Sequence, residues 1–182
     1  MKNVFKVFLM EMAYSATFIL GSTSGLIHPA CYAYVGAVLP LLTAFIYLYT
    51  CKLIRGFGAA TALNVFVLVL LVIAGEADAA CVIGLLVLTA LAELVRYFCK
   101  KDSLTGVRWS FLPFAYSFFC YTAHWWTNTE GSLAAAVEEM PAGYDELMKP
   151  VIENIPMLIL VLVLTIPIAV LGMRLAQKVI KY

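Results

Sequence analysis

The chain has 182 residues, of which 64% are hydrophobic and 13% are charged, and its formal net charge at pH 7 is +1. Soluble globular domains are about half apolar and about one-quarter charged, and so short a chain cannot shield this much apolar side-chain surface from water. The composition therefore excludes an ordinary soluble domain and favours a lipid bilayer as the solvent, while the small net charge gives no indication of a nucleic-acid partner.

Six apolar segments follow one another along the chain, with no internal repeat and no interior linker between them. Each approaches the length of about 20 apolar residues that a helix needs to cross a bilayer. They predict one domain, residues 1–182, that is all-α and forms a polytopic membrane bundle of six transmembrane helices. The predicted spans are Val4–Ser22, Pro29–Leu53, Gly58–Gly75, Ala79–Cys99, Val107–Thr127 and Ile155–Gln177.

The charged residues predict the orientation of this bundle. Every lysine and arginine except Lys149 flanks the spans on one side, whereas the acidic residues of the loops around residues 75–78 and 128–154 lie on the other. Loops rich in lysine and arginine remain in the cytoplasm. The N- and C-termini are therefore expected to be cytoplasmic, in a multi-pass protein of the cell membrane.

The first span carries small residues at every fourth position. Ala13, Thr17, Gly21 and Gly25 share one helix face, and Ala16 lies alongside. Such ridges let two helix backbones approach closely. Two interpretations follow, namely packing inside the chain or a docking face for another membrane subunit, for which the candidate residues are Ala13, Ala16, Thr17 and Gly21.

The fifth span carries aromatic residues at spacings of three and four, which places them on one helix face. The stripe consists of Phe111, Phe114, Phe118, Tyr121 and Trp125. Tryptophan and tyrosine commonly lie at the membrane–water interface, so an anchoring belt is one interpretation. The other is a pocket for a flat or apolar ligand at the outer surface.

Both histidines of the chain, His28 and His124, fall at the predicted outer surface beside aromatic residues. Each is either a polar cap at the interface or a ligand contact. On the second interpretation, imidazole groups and rings together bind the ligand. The candidate ligand-binding residues are His28, Phe118, Tyr121, His124 and Trp125.

The loop 128–154 is long and shows helical signals of its own. Ser132 is a suitable N-cap for a short helix through Glu139, the sequence Pro141–Gly143 breaks that helix, and Tyr144–Ile152 forms another. Long loops with internal structure commonly cover a functional site. The segment is therefore either a surface connector or a lid over an outward-facing pocket.

Several motifs that carry chemistry are absent from the sequence. There is no G-x-x-x-x-G-K-[ST] phosphate loop, no H-E-x-x-H and no G-x-S-x-G. The five cysteines have no C-x-x-C spacing and are expected to pack as small apolar residues. Glu93 and Arg96, three residues apart, are expected to form a structural helical pair. We expect no enzymatic activity, no metal site and no cofactor.

Short motifs at the ends of the spans resemble those of a known family. The turn Lys52–Ala59, the sequence Ala92–Arg96 at the end of the fourth span, and the tail Gly172–Lys178 resemble the Trep_Strep family of bacterial membrane proteins. That family is grouped with the S components of energy-coupling-factor (ECF) importers. The resemblance implies a six-helix subunit that binds a micronutrient from outside and works with a transmembrane T subunit and two cytoplasmic ATPases.

The resemblance also implies where the partner docks, because S components often carry an A-x-x-x-A motif in helix 1. In this chain the corresponding ridge has Ala13 and then Thr17, with Ala16 alongside. A riboflavin-like, tetrapyrrole or other aromatic micronutrient suits the aromatic stripe, and the sequence does not distinguish among these. Two alternative functions remain, namely a self-sufficient carrier or channel, and a haem-binding membrane redox protein that uses His28 and His124.

Overall fold

The computed structural model describes residues 2–99 and 103–182. Lys100 and Lys101, which belong to the predicted basic loop between spans four and five, lie outside these ranges. All regular secondary structure in the described ranges is helical, which confirms the all-α class. The helices are α1 (Lys2–Thr23), α2 (Pro29–Tyr34), α3 (Pro40–Leu53), α4 (Ala59–Ala74), α5 (Ala79–Phe98), α6 (Leu104–Phe114), α7 (Ser117–Thr122), α8 (His124–Thr127), α9 (Thr129–Glu139), α10 (Tyr144–Glu153) and α11 (Ile155–Val179).

Three helical segments in the described ranges are long and apolar enough to cross a membrane. They are Asn3–Leu26 (α1 with the turn after it), α5 and α11. The segment Pro29–Ala37 (α2 with the turn after it) and α3 together form a fourth if the bend of 41° between them lies within one span. Helix α4 is apolar but has 16 residues, which rise about 24 Å, less than the ~30 Å of a typical hydrocarbon core.

The fifth predicted span is not one helix, which corrects the expectation of a continuous helix over Val107–Thr127. It is divided into α6, α7 and α8. Pro113 lies inside α6; proline has no N–H and its ring clashes with the preceding turn. The chain then tightens, and the Tyr116 N–H donates to the Pro113 carbonyl at 3.2 Å. The second predicted span breaks in the same way before Pro40.

Six helical units contact one another in a closed cyclic order, α1, α4, α5, α6–α7, α11 and α3. Aromatic side chains fill the centre of this ring. The Phe114 ring centroid lies 5.1 Å from that of Tyr14 and 4.6 Å from that of Tyr47. The aromatic stripe of α6–α8 therefore faces the interior of the bundle, and its five residues are all buried.

A buried polar network crosses the same core. The Asn64 amide accepts a hydrogen bond from the Tyr14 hydroxyl at 2.9 Å and donates to Thr89 Oγ1 at 2.9 Å and to Ser117 Oγ at 3.1 Å. Because a polar group in a lipid environment must find its partners within the protein, this network fixes α1, α4, α5 and α7 in one register.

Glu93 and Arg96 hold the turn between α3 and α4. The Glu93 carboxylate accepts from the Gly58 N–H at 3.0 Å and the Thr61 N–H at 3.1 Å, at the start of α4. The Arg96 guanidinium donates to the Ile54 carbonyl at 2.9 Å, at the end of α3. Both side chains are buried, so each supplies hydrogen bonds that the ends of the two neighbouring helices otherwise lack.

The basic residues gather at this end of the bundle. Lys52 Nζ donates to the carbonyl of Lys181 at 2.9 Å, and Arg108 Nε donates to Gln177 Oε1 at 3.0 Å. The lone basic residue predicted on the opposite side, Lys149, lies 3.6 Å from the Asp145 carboxylate. The charge asymmetry of the sequence is therefore also an asymmetry of the folded chain.

Candidate ligand-binding cleft

An open cleft of about 650 Å³ lies at the end of the bundle opposite the basic turn. Its walls come from the end of α1, from α2, from the turn between α4 and α5, from α7–α8, and from α9. This volume falls within the range of small-molecule sites, about 300–1,000 Å³. The lining residues used below are Tyr32, Glu76, Asp78, Tyr121, His124, Trp125, Ser132 and Glu139.

One wall of the cleft is aromatic. The His124 and Trp125 ring centroids lie 4.7 Å apart, and Tyr32 packs edge-on against both Trp125 (6.2 Å) and Tyr121 (6.1 Å). Edge-to-face pairs at these separations are favourable beyond the burial of their surface. The rings of this wall therefore hold one another in place. Two of them, His124 and Trp125, are neighbours in the sequence and lie at the start of α8.

The rim of the cleft is acidic. Glu76, Asp78 and Glu139 line it, and neither lysine nor arginine occurs among its described lining residues. The Tyr121 hydroxyl donates to Glu76 Oε2 at 3.2 Å, which holds this carboxylate beside the aromatic wall. Asp78 Oδ1 accepts from the Cys81 N–H at 2.7 Å and so caps the start of α5.

Segment 128–154 forms two helices, α9 and α10, which confirms the predicted division at Pro141–Gly143. The first helix begins at Thr129 and not after Ser132. The Ser132 hydroxyl instead donates to the His124 carbonyl at 3.0 Å and lies 2.9 Å from its Nδ1. This contact ties α9 to the aromatic wall.

Helix α10 anchors the other side of the same segment. The Tyr34 hydroxyl donates to the Val151 carbonyl at 3.1 Å, and Trp126 Nε1 donates to the Ile152 carbonyl at 3.2 Å. Met148 is buried beneath the helix. The segment is therefore packed onto the bundle, with α9 as the part that borders the cleft.

Two buried donors beneath this segment lack a hydrogen-bond partner among the described residues, namely Trp125 Nε1 and the Tyr144 hydroxyl. Their side chains are 2% and 6% exposed, and their ring centroids lie 6.4 Å apart. Burial raises the pKa of the Tyr144 hydroxyl, which therefore stays protonated. Unsatisfied buried donors are uncommon and often mark a functional site.

Comparison with known proteins places the chain in a family. The family described as "Hypothetical bacterial integral membrane protein (Trep_Strep)" matches residues 1–182. The chain belongs to the Trep_Strep family. Membership of this family, together with the apolar helices, shows that the chain is an integral membrane protein. No curated protein and no solved structure matches it.

Two of the three motifs that resemble the Trep_Strep family meet in the fold. Residues Glu93 and Arg96, from the end of α5, bind the turn that joins α3 to α4. That turn contains Gly58, which has φ +111°, a conformation that glycine adopts without strain. These two sequence motifs therefore form one structural unit at the basic end of the bundle.

The predicted ligand-binding residues separate into two groups. Tyr121, His124 and Trp125 line the cleft together, whereas Phe118 and His28 do not. Phe118 is 3% exposed and packs against Phe18, 5.3 Å away, because the stripe descends into the core.

His28 is exposed and has a local structural role. Its Nδ1 accepts from the Ala30 N–H at 3.1 Å and caps α2. The two histidines do not line a common cavity, so the placement gives no support to a site for haem between them.

The small-residue ridge of α1 packs largely within the chain. Thr17 and Gly21 are buried, and a Cβ on Gly21 would lie 2.4 Å from the Phe118 ring. Ala13 is half-buried, and Ala16 is exposed. Of the four candidate docking residues, only Ala16 therefore lies fully on the surface of this chain.

Sequence reasoning did not select several residues that line the cleft, among them Tyr32, Glu76, Asp78 and Glu139. Glu76 and Asp78 had a visible signal, since two acids in a very short loop between apolar spans lie close together wherever that loop folds. Tyr32 had a weaker one, because it follows His28 by four residues and lies within an apolar segment. Its contact with Trp125 is set by tertiary packing alone.

Proposed function

We propose that this chain is the membrane-embedded substrate-binding subunit of an ECF-type importer, and that it captures a small micronutrient from outside the cell. The observation that carries the proposal is the open cleft with its aromatic wall, acidic rim and α9 border. The cleft opens at the acidic end, which the distribution of lysine and arginine assigns to the outside. A cleft at one end of a bundle suits a subunit that binds a solute and relies on others for energy.

Six membrane crossings are part of the proposal. Broken helices are tolerated at membrane depth where the break is buried in protein. The break between α6 and α7 meets this condition, because Ala115 is 5% and Ser117 1% exposed. The Ser117 hydroxyl also donates to the Phe114 carbonyl at 2.7 Å and so satisfies an acceptor beside the break.

The partner subunits supply the energy. The sequence has no phosphate-binding loop, and two cytoplasmic ATPases acting through a transmembrane T subunit fill that role. On α1, the face available to a T subunit is the exposed stripe around Ala16, which also contains Leu9, Met12 and Leu20. Ala16 is the small residue on this stripe at which another helix can approach closely.

Uptake by reconstituted vesicles tests the proposal. We expect the chain alone to bind its substrate without concentrating it, and we expect ATP-dependent uptake when the T subunit and both ATPases are added. Ala16→Leu should reduce assembly with the T subunit and leave substrate binding unchanged, and Leu164→Ala, on the exposed face of α11, is the control. Concentrative uptake by the isolated chain would refute the proposal and favour a self-sufficient carrier.

A further inference from the structure

The charge of the cleft indicates which ligands it favours. Glu76, Asp78 and Glu139 approach it from two elements, the α4–α5 turn and α9. Lys149 pairs with Asp145, with 3.6 Å between Lys149 Nζ and the Asp145 carboxylate, and it does not line the cleft. A cleft lined by one sign of charge concentrates ligands of the opposite sign.

The aromatic wall favours the same class of ligand for a second reason. Ring faces carry negative electrostatic potential, and cations bind over tryptophan and tyrosine faces within about 6 Å of the ring centroid. Tyr32, Tyr121 and Trp125 line the cleft as three rings, with Tyr32 in edge-on contact with the other two. Each is less than one-tenth exposed, so only the part of each ring surface that its neighbours leave uncovered meets a ligand. Flat ligands also stack on rings of this kind.

We propose that the cleft binds a flat aromatic or heteroaromatic organic cation, with a protonated amine or quaternary nitrogen at the acidic rim and its ring against Tyr32, Tyr121 and Trp125. The volume of about 650 Å³ accommodates one or two fused rings with substituents and is far larger than a metal ion requires. This inference rests on the proposed function only in assigning the cleft to the outside of the cell. It narrows the substrate from aromatic micronutrients in general to positively charged ones.

Three ring compounds of similar shape and different charge test the inference. Isothermal titration calorimetry of the full chain in mild detergent compares N-methylquinolinium, a permanent cation, with neutral quinoline and anionic quinoline-2-carboxylate near neutral pH. We expect the cation to bind at least about tenfold more tightly than quinoline, a difference of ~1.4 kcal/mol. We expect the anion to bind most weakly.

Substitutions at the rim assign the selectivity to named residues. Glu76→Gln keeps an oxygen acceptor for Tyr121 and removes only the charge, so we expect cation affinity to fall about tenfold while quinoline affinity is unchanged. Glu139→Gln should act in the same direction. Glu138→Gln is the matched control, because Glu138 is the neighbouring acid on α9 and does not line the cleft.

The outcomes separate this inference from the proposed function. Equal affinity for quinoline and its cation, no binding of the cation, or cation binding unaffected by Glu76→Gln would overturn the inference. Cation-selective binding with no ATP-dependent uptake in the presence of partners would support the inference and refute the importer proposal. ATP-dependent uptake of a neutral or anionic substrate only would do the reverse.

Discussion

Replacing Gly21 by alanine tests whether the α1 ridge packs inside the chain or docks a partner. The added Cβ would lie 2.4 Å from Phe118 Cε2 and 3.2 Å from Leu39 Cδ1. Ordinary contacts begin near 3.4 Å, so the ring must retreat by about 1 Å in a core that already encloses it. Phe18 (5.3 Å) and Tyr121 (5.8 Å) flank that ring and resist its movement.

Overpacking of this kind destabilises a protein by about 1–3 kcal/mol. For a chain of this size each kcal/mol lowers the midpoint of thermal unfolding by roughly 2–4 °C, so we expect Gly21→Ala to melt about 2–12 °C below the parent in detergent. Phe118→Leu added to Gly21→Ala should restore part of the loss, because a smaller side chain vacates the contested space. This coupling is measured as a double-mutant cycle.

Ala16→Leu is the matched control on the same helix, and its exposed side chain predicts an unchanged midpoint. An unchanged midpoint for Gly21→Ala, together with lost assembly with the T subunit, would refute this reasoning and return Gly21 to the docking face. A lowered midpoint without rescue by Phe118→Leu would show that Gly21 packs against some other group.

Three further predictions concern the ends of the bundle. Arg96→Leu should lower the free energy of unfolding by about 1–3 kcal/mol, because it removes the buried guanidinium that donates to the Cys51 and Ile54 carbonyls at the end of α3; Arg174→Leu, at an exposed position, should leave thermal unfolding nearly unchanged, and equal effects of the two would contradict this role. In a background without the five native cysteines, a membrane-impermeant thiol reagent on intact cells should label a cysteine at Val137 and not one at Thr105, whereas the opposite pattern would invert the proposed orientation. Ser132→Ala removes the hydroxyl contact between α9 and α8, worth about 0.5–1.5 kcal/mol; stopped-flow measurement should show N-methylquinolinium released roughly two- to tenfold faster, and an unchanged rate would mean that α9 does not control release.

The parts of the fold that were predictable from sequence depend on local signals. Helices α1, α5 and α11 follow from the length of their apolar segments, and the division of segment 128–154 follows from Pro141 and from Gly143, which has φ +82°. In each case the residues that determine the element lie within it. Sequence reasoning therefore located these elements correctly.

The breaks in the second and fifth spans required tertiary information. Pro113 can kink a membrane helix and leave it continuous, and the actual break depends on how its freed groups are satisfied. The small-residue ridge predicted a close approach correctly but not its partner, which is Phe118 of the same chain. Likewise, the stripe predicted a common helix face for Phe118, Tyr121 and Trp125. Phe118 lies deeper in the bundle and packs in the core, whereas Tyr121 and Trp125 line the cleft.

The hydrogen bonds of Glu93 and Arg96 have a mechanical consequence for the whole bundle. A single turn of α5 holds the end of α3 and the start of α4 through buried contacts, so these three helices cannot slide against one another at the basic end without exposing charge. At the acidic end, α4 and α5 are joined by the short turn that carries Glu76 and Asp78. We therefore expect the basic end to be the stiffest part of the bundle, and any widening of the cleft to be a movement of the elements at the acidic end.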